Sequence, residues 1–409
     1  MNKKNAPHTL PRRGFMKAAS AGAGLMLVKP ESVFGAPANS LIQAGLIGCG
    51  GRGTHDAGVF VRMTDTRFIA LADYFEDRLQ STKNTLDGRL KEKGQPEIEA
   101  SKLFKGMKSY EDVLAIDDID MVLITSPVYF HPIHFEAAVN AGKHIYMEKP
   151  AGADVAGVKK VIEAGRKANG KKSMMIGFQI RFSLEFQEAV NRVHQGDIGD
   201  PVSGMVNYHA GRLGGRNLPN ATEEENRLRN WVFDKALSGD IIVEQNVHVI
   251  DVCNWYLQNH PVKAFGTGGR KARVDIGDCW DHFICIFWYP NDVRIDFSSS
   301  QFLRGWGDCR ERIFGTRGTA NTPYTGNAEI TGDKSWQSEN TDLLGGTEER
   351  KVTTFIESVK SGNYANETLQ AAESTLTCIL GRIAAYEERM VTWDEMMKSN
   401  LTIDPKLKL

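Results

Sequence analysis

In the stretch HIYMEKPAG, residues 144–152, a segment that predicts a short strand runs straight into Lys149 and Pro150. An ammonium is costly to take out of water, so a lysine at the mouth of a buried strand needs a partner or a task. Burial lowers a lysine's pKa toward neutrality, which suits proton exchange with a hydroxyl. Glu148 beside it orients the amine or caps the strand. A second group lies in SGDIIVEQNVHVIDVCNW, whose apolar spacing predicts one helix. Glu244 and His248 then stand at i and i+4 on one face, with Asp251 about a turn further on. Histidine titrates near neutral pH, and a carboxylate one turn away holds its tautomer. The polar run Glu244-Gln245-Asn246 inside an apolar helix marks this histidine as more than core filling.

A third group is glycine-rich. Gly48, Gly50 and Gly53 spell GxGxxG, with Gly51 and Arg52 inside the motif. Alone that is weak in a chain with 40 glycines, but here it follows a predicted strand and precedes a helical spacing. The first glycine allows a tight turn, the second lets the backbone approach a pyrophosphate, and the helix amino terminus supplies aligned N–H groups. Asp73 ends the next predicted strand, 20 residues past Gly53. A carboxylate there binds a ribose 2′-hydroxyl and repels a 2′-phosphate. The expected cofactor is NAD, with NADP possible because Arg52 and Arg78 stand close enough to accept a phosphate.

Thr125, Ser126 and Pro127 close the fourth predicted strand and are expected beside the nicotinamide or its ribose, since ligands of such sheets bind beyond the strands' carboxyl ends. His131, Glu148 and Lys149 complete the expected cofactor-binding residues. His131 and His134 open the following helix with no third ligand nearby. They predict no metal site, and both are expected to cap the helix or face solvent. Six cysteines without a CxxC pair give no zinc spacing either, and are expected as buried free thiols.

Alternating strands and helices over residues 39–150 predict a doubly wound parallel sheet, a Rossmann dinucleotide-binding domain. Residues 151–409 change texture: PVSGMVNYHAGRL, DHFICIFWYPNDVRIDFSSSQF and RERIFGTRGTA read as strands with turns between some of them. The expectation is an α/β chain whose second domain carries a large open, mostly antiparallel sheet with helices on one face. With 50 basic and 51 acidic side chains, there is no net field to favour nucleic acid or an anionic membrane. Residues 1–38 differ. PRRGFMK is followed by a short apolar segment and by Ala36 and Ala38 in an AxA cleavage site. They predict a twin-arginine export signal without a lipid anchor, and a periplasmic protein folded, and loaded with nucleotide, before export.

The glycine motif with its acidic strand end, EKP at 148–150, GFQIRF at 177–182 and the helix ending HVIDVCNW together resemble the glucose-fructose oxidoreductase, inositol dehydrogenase and rhizopine catabolism (Gfo/Idh/MocA) family. The resemblance spans nearly all of the chain after the signal. It implies hydride transfer between a nicotinamide and a hydroxyl of a carbohydrate or cyclitol, and assembly as a dimer or tetramer through the second sheet. It makes Lys149 the EKP lysine and His248 the proton acceptor, assisted by Lys149, and brings Gln179 and Arg181 toward the substrate. Glu244 and Asn246 depart from the family's commoner Asp and Gly at those positions. Tyr208, Arg212 and Trp231 are further candidates for the sugar site, because aromatic faces and guanidinium forks suit pyranose rings. Because free NAD is scarce outside the cytoplasm, export favours a tightly held nucleotide. The rival readings are a glycoside hydrolase working by transient oxidation and elimination, and a non-catalytic periplasmic sugar-binding protein.

Overall fold

The computed structural model describes residues 41–408, so the predicted export signal lies outside the described residues. The first sheet is built from β1 (Ile42–Ile47), β2 (Thr66–Asp73), β3 (Leu103–Lys105), β4 (Met121–Ile124), β5 (His144–Met147) and β6 (Met174–Ile176). Between them run α1 (Gly51–Met63), α2 (Glu76–Glu92), α3 (Ser109–Leu114), α4 (His131–Asn140) and α5 (Val155–Ala168). The strand order is β3-β2-β1-β4-β5-β6, and every pairing is parallel. β4 and β5 are buried along their whole length, because helices cover both faces.

Register decides what this sheet positions. Ile47 pairs with Ala72 and with Ile124, Ile124 with Met147, and Met147 with Ile176. The next residue of each strand therefore emerges at one edge: Gly48, Asp73, Thr125, Glu148 and Gly177. The boundary expected at residue 150 falls short of this sheet, since β6 completes it. The apolar run at 174–176, expected in the second domain, pairs with β5 as β6. Its partner strand could not be read from local pattern.

The second sheet follows α6 (Leu184–His194). Its strands are β7 (Pro201–Gly211), β8 (Lys263–Gly269), β9 (His282–Trp288), β10 (Arg294–Leu303), β11 (Asp308–Gly315), β12 (Gly318–Pro323), β13 (Glu329–Gly332), β14 (Trp336–Gln337) and β15 (Val391–Thr392). The order is β14-β13-β12-β11-β7-β10-β9-β8-β15, antiparallel except for the β7–β10 pair. Phe283, Cys285 and Phe287 of β9 are buried, whereas Ile284 and Ile286 between them are exposed. This period-two alternation means that one face is covered and the other open.

Between β7 and β8 the chain forms four helices, α7 (Glu223–Arg229), α8 (Lys235–Ser238), α9 (Ile241–Glu244) and α10 (Val247–Leu257); after β14 come α11 (Thr347–Ser361), α12 (Thr368–Tyr386) and α13 (Trp393–Lys398). α11 returns to the first sheet, where Val352, Phe355 and Ile356 share an apolar cluster with Phe60 and Tyr146. All six cysteines are free and five are buried.

Two glycines of the first loop are fixed by geometry. Gly48 has φ +102°, a conformation that side chains other than glycine's rarely adopt. A Cβ on Gly53 would lie 2.1 Å from the Gly48 carbonyl oxygen and 2.3 Å from Thr125 Oγ1. Gly53→Ala should therefore cost about 2 kcal/mol by overpacking. Thermal unfolding reads this as a lower Tm; a Tm equal to the parent's would contradict the packing.

Candidate active site

The glycine loop opens a cleft at the shared sheet edge, lined by Gly48, Gly50, Gly51, Arg52, Asp73, Arg78, Thr125, Ser126 and Pro127, among others. A Cβ on Gly51 would meet nothing within 4 Å, and one on Gly50 only the Arg78 guanidinium at 3.9 Å. α1 begins at Gly51 with no side-chain cap on its first turn. Uncapped N–H groups facing open space suit a pyrophosphate. Asp73 accepts the N–H groups of Cys49 at 2.7 Å and Phe75 at 2.8 Å. Each oxygen keeps a lone pair for a ribose hydroxyl. Burial raises the Asp73 pKa, partly offset by those backbone bonds and Arg78. The cleft thus fits a dinucleotide on its own geometry.

Thr125 Oγ1 donates to the Gly48 carbonyl at 2.6 Å, tying the loops after β1 and β4 together. His131 and His134 are both buried, against the expectation of capping or exposure. The His131 ring bridges the carbonyls of Ser126 at 2.8 Å and Pro150 at 2.7 Å, so it fixes the loops after β4 and β5 rather than facing the cleft. His134 lines the cleft and bonds Ser126 Oγ at 3.0 Å. α4 packs its first turn inward here, which no local signal in HPIHFEAAVN revealed.

Lys149 reaches across to the second half of the chain. Its Nζ donates to the Glu244 carbonyl at 2.6 Å and to Glu244 Oε1 at 3.1 Å. The carbonyl is available because the helix predicted within residues 238–255 is broken: α9 ends at Glu244 and α10 starts at Val247. Asn246 N–H bonds back to Ile241 O, a wider turn than an α-helix makes. An ammonium has three donors, and two are engaged here.

His248 stands one residue into α10, partly buried, with its Nδ1 buried and unpartnered. Burial, then the positive charges of Lys149 and Arg52, lower its pKa well below the imidazole norm. The ring is neutral at neutral pH. Asp251, expected to hold its tautomer, instead takes Arg181 Nε at 2.8 Å and Nη2 at 3.0 Å, with Gln370 and Ser374 also bonded to it. Arg181, expected at the substrate, is committed to that pair. Gln179 Oε1 and both polar atoms of the Asn246 side chain are buried without partners. Phe178, next to Gln179, has its ring centroid 6.3 Å from that of His248. Unpaired buried polar atoms are rare, and these gather on the segments that flank Lys149.

Behind Lys149, Arg52 is held by Glu348 at 2.6 Å, Asp56 at 3.1 Å and Glu148 at 3.2 Å. Its guanidinium is therefore spent on three carboxylates, not free for a phosphate. Burial and the adjacent Glu148 charge push the Asp56 carboxyl well above the usual carboxylate range, and the Arg52 charge opposes this. Glu148 lies against Gly177, where a Cβ would meet Oε1 at 2.4 Å. His55, Asp56 and Glu348 converge, but the Arg52 cation already bonds two of them.

The three softer sugar candidates separate. Tyr208 is half-buried, its ring against Tyr324, and the Glu244 charge contributes to its raised pKa, so it belongs near Lys149. Arg212 pairs with Asp275 on the surface. Trp231 lines the nucleotide cleft together with Arg216 and Leu228. Arg216 was missed because a loop carries no periodicity to read, and Leu228 because it is the single apolar residue of the short helix α7.

Residues 42–178 match a family model described as an oxidoreductase family with an NAD-binding Rossmann fold, and residues 186–321 match the GFO/IDH/MocA C-terminal domain. Inositol 2-dehydrogenase 3 of Saccharopolyspora erythraea is 25% identical over 69% of this chain and 73% of its own. Myo-inositol 2-dehydrogenase of Thermotoga maritima is 23% identical over 87% and 100%. Among solved structures, levoglucosan dehydrogenase in complex with NADH and levoglucosan superposes with a TM-score of 0.69 at 17% identity, covering 86% of this chain and 99% of that one. The aldose-aldose oxidoreductase of Caulobacter crescentus gives 0.70 at 17% identity, covering 86% and 100%.

Buried histidines predict acid sensitivity. Burial lowers His134 to about 3 and His144 to about 4, and His248 also lies below 6.5. Each is more basic in the unfolded chain, so the unfolded state binds more protons once pH falls below about 6.5. Stability is full above that value and declines below it. Tm measured from pH 7 to 5 should fall, and His144→Gln should flatten the slope; a Tm independent of pH over that window would contradict the burial.

Proposed function

The chain belongs to the GFO/IDH/MocA oxidoreductases, and we propose that it moves hydride between a nicotinamide cofactor and a hydroxyl-bearing carbon of a sugar or cyclitol. The nucleotide, NAD before NADP, stays bound between turnovers. The observation that carries this reading is the meeting of Lys149, Glu244 and neutral His248 at the edge where the nucleotide cleft ends. Inositol dehydrogenases and sugar oxidoreductases among the relatives support the substrate class. The aldose-aldose oxidoreductase supports a cofactor cycled between two sugars.

A nicotinamide dinucleotide held by the glycine loop and Asp73 would supply the hydride acceptor for the carbinol carbon. The chain's own residues handle the proton and the geometry. The substrate hydroxyl takes the remaining Lys149 N–H as its donor and gives its proton to the His248 imidazole, leaving a carbonyl. In the reverse direction, the imidazolium returns the proton. Desolvation and the Lys149 and Arg52 charges lower the basicity of His248, so the imidazolium returns its proton readily in the reverse direction. Glu244 holds the amine by both carbonyl and carboxylate, so its orientation is set before substrate arrives. Asn246, Gln179 and Tyr208 supply hydrogen bonds to further hydroxyls.

PRRGFMK and the AxA site support export through the twin-arginine route. Exposed Phe265, Ile284 and Ile286 on the open sheet face support assembly with further copies through that face.

Purified protein should release NAD or NADP on denaturation, and one member of a panel of sugars, cyclitols and glycosides should change the nicotinamide absorbance of the bound form. Release of the leaving group from an aryl glycoside, with no net reduction, would favour the glycosidase instead. No nucleotide bound or taken up would overturn the proposal. His248→Gln should lower kcat about a hundredfold with nucleotide affinity held, as binding titrations beside turnover would show; unchanged kcat would remove His248 from the chemistry.

A further inference from the structure

We propose that residues 216–231, which belong to the second half of the chain, clamp the adenosine end of the nucleotide cleft and set how long the nucleotide stays bound. The inference rests on the reading that this cleft holds a nicotinamide dinucleotide, and supplies the device for its retention.

The loop after β2 marks the adenosine end, because a carboxylate at that strand end takes the ribose. Arg216, Leu228 and Trp231 line the same cleft as Asp73, Phe75 and Arg78. Arg229 secures the clamp from outside. Its Nη1 and Nη2 donate to the two Asp77 oxygens at 3.0 and 2.8 Å, and its guanidinium lies 3.9 Å over the Phe75 ring. The Arg229 side chain is only 13% exposed, so the bidentate pair is partly shielded from water. Leu228, Phe75 and Leu237 form a buried apolar cluster, with Trp231, Tyr74, Phe130 and Leu407 packed against it.

Two further ties hold the segment. Asn230 Oδ1 accepts the Arg216 N–H at 2.6 Å, joining the loop to the end of α7. The tail of the chain crosses behind: Arg227 donates to the Pro405 carbonyl at 2.6 Å, and the Lys408 N–H bonds Glu224. Same tail, other side, Ile403 N–H bonds Asp154 at 2.7 Å, so it bridges the clamp to the start of α5.

The charge pattern points to an anionic occupant. Neither Arg78 nor Arg216 forms an ion pair among the described residues, yet both line the cleft. Burial lowers the Arg78 pKa, and the nearby Arg229 and Arg216 charges add to this while Asp73 opposes it. A phosphate-bearing ligand relieves that repulsion, and the clamp's aromatic and aliphatic side chains suit an adenosine. Escape of the nucleotide then requires the second half of the chain to release the first.

The test uses the full chain with NADH as probe. Nucleotide per chain is measured in the denatured supernatant, and NADH release is timed by fluorescence after a chase with excess NAD. Arg229→Ala and Arg216→Ala should each release NADH about tenfold faster, and the charge-swapped double variant Asp77→Arg with Arg229→Asp should recover slow release. Parent-like release from both single variants would overturn the clamp. If the parent itself carries no nucleotide and loses NADH at once, retention fails as a property of the protein. The clamp then predicts a Kd for NADH raised about tenfold in the same variants, and an unchanged Kd overturns it too.

Discussion

The bond from Lys149 Nζ to the carbonyl and carboxylate of Glu244 is the constraint around which the two halves of the chain are arranged. A lysine leaving a buried strand must find acceptors, and here both come from Glu244. The second half provides them by interrupting a helix, which frees a carbonyl that an unbroken helix would have kept for its own N–H groups. The same interruption starts a new helix with His248 in its first turn. One ion pair therefore joins the sheet that presents the nucleotide cleft to the end of α9, four residues before the base on α10.

The charges around this pair are arranged in series. Glu148, next to the lysine, is turned toward Arg52 instead, and Arg52 is shared with Asp56 and Glu348. Burial and the Glu148 charge raise the Asp56 carboxyl, while Arg52 beside it opposes that shift. Positive charge on Lys149 and Arg52 in turn adds to burial in holding His248 neutral. The neighbours of the proton acceptor thus lower its basicity, while the donor for the substrate's oxygen is held in place by Glu244.

Much of this was legible in the sequence because it depends on local chemistry. Gly48, Gly53 and Asp73 announce a turn, a close approach and a ribose acceptor by type and spacing. Strand and helix alternation foretold the parallel sheet, and the change of texture foretold a mostly antiparallel one. What escaped the reading depends on contacts far apart in the chain. The partner of Arg181 is Asp251, 70 residues away, and it removed both from the roles expected of them. The break after Glu244 hides inside an apolar pattern that suits a continuous helix. Trp231 was assigned to the sugar on its chemistry, but the fold carries it to the nucleotide cleft, where only the packing of α7 against Phe75 could have placed it.

The central claim is that Lys149 acts on the substrate's hydroxyl without being needed to hold the nucleotide. Its most direct test is single-turnover transfer of deuterium from a carbinol-deuterated substrate to the nicotinamide, in the parent and in Lys149→Met, with nucleotide occupancy measured on the same samples. The account predicts full occupancy in the variant and transfer slowed about a thousandfold. Transfer at the parent rate would contradict it and leave Lys149 as a tie between the two halves of the chain and nothing more.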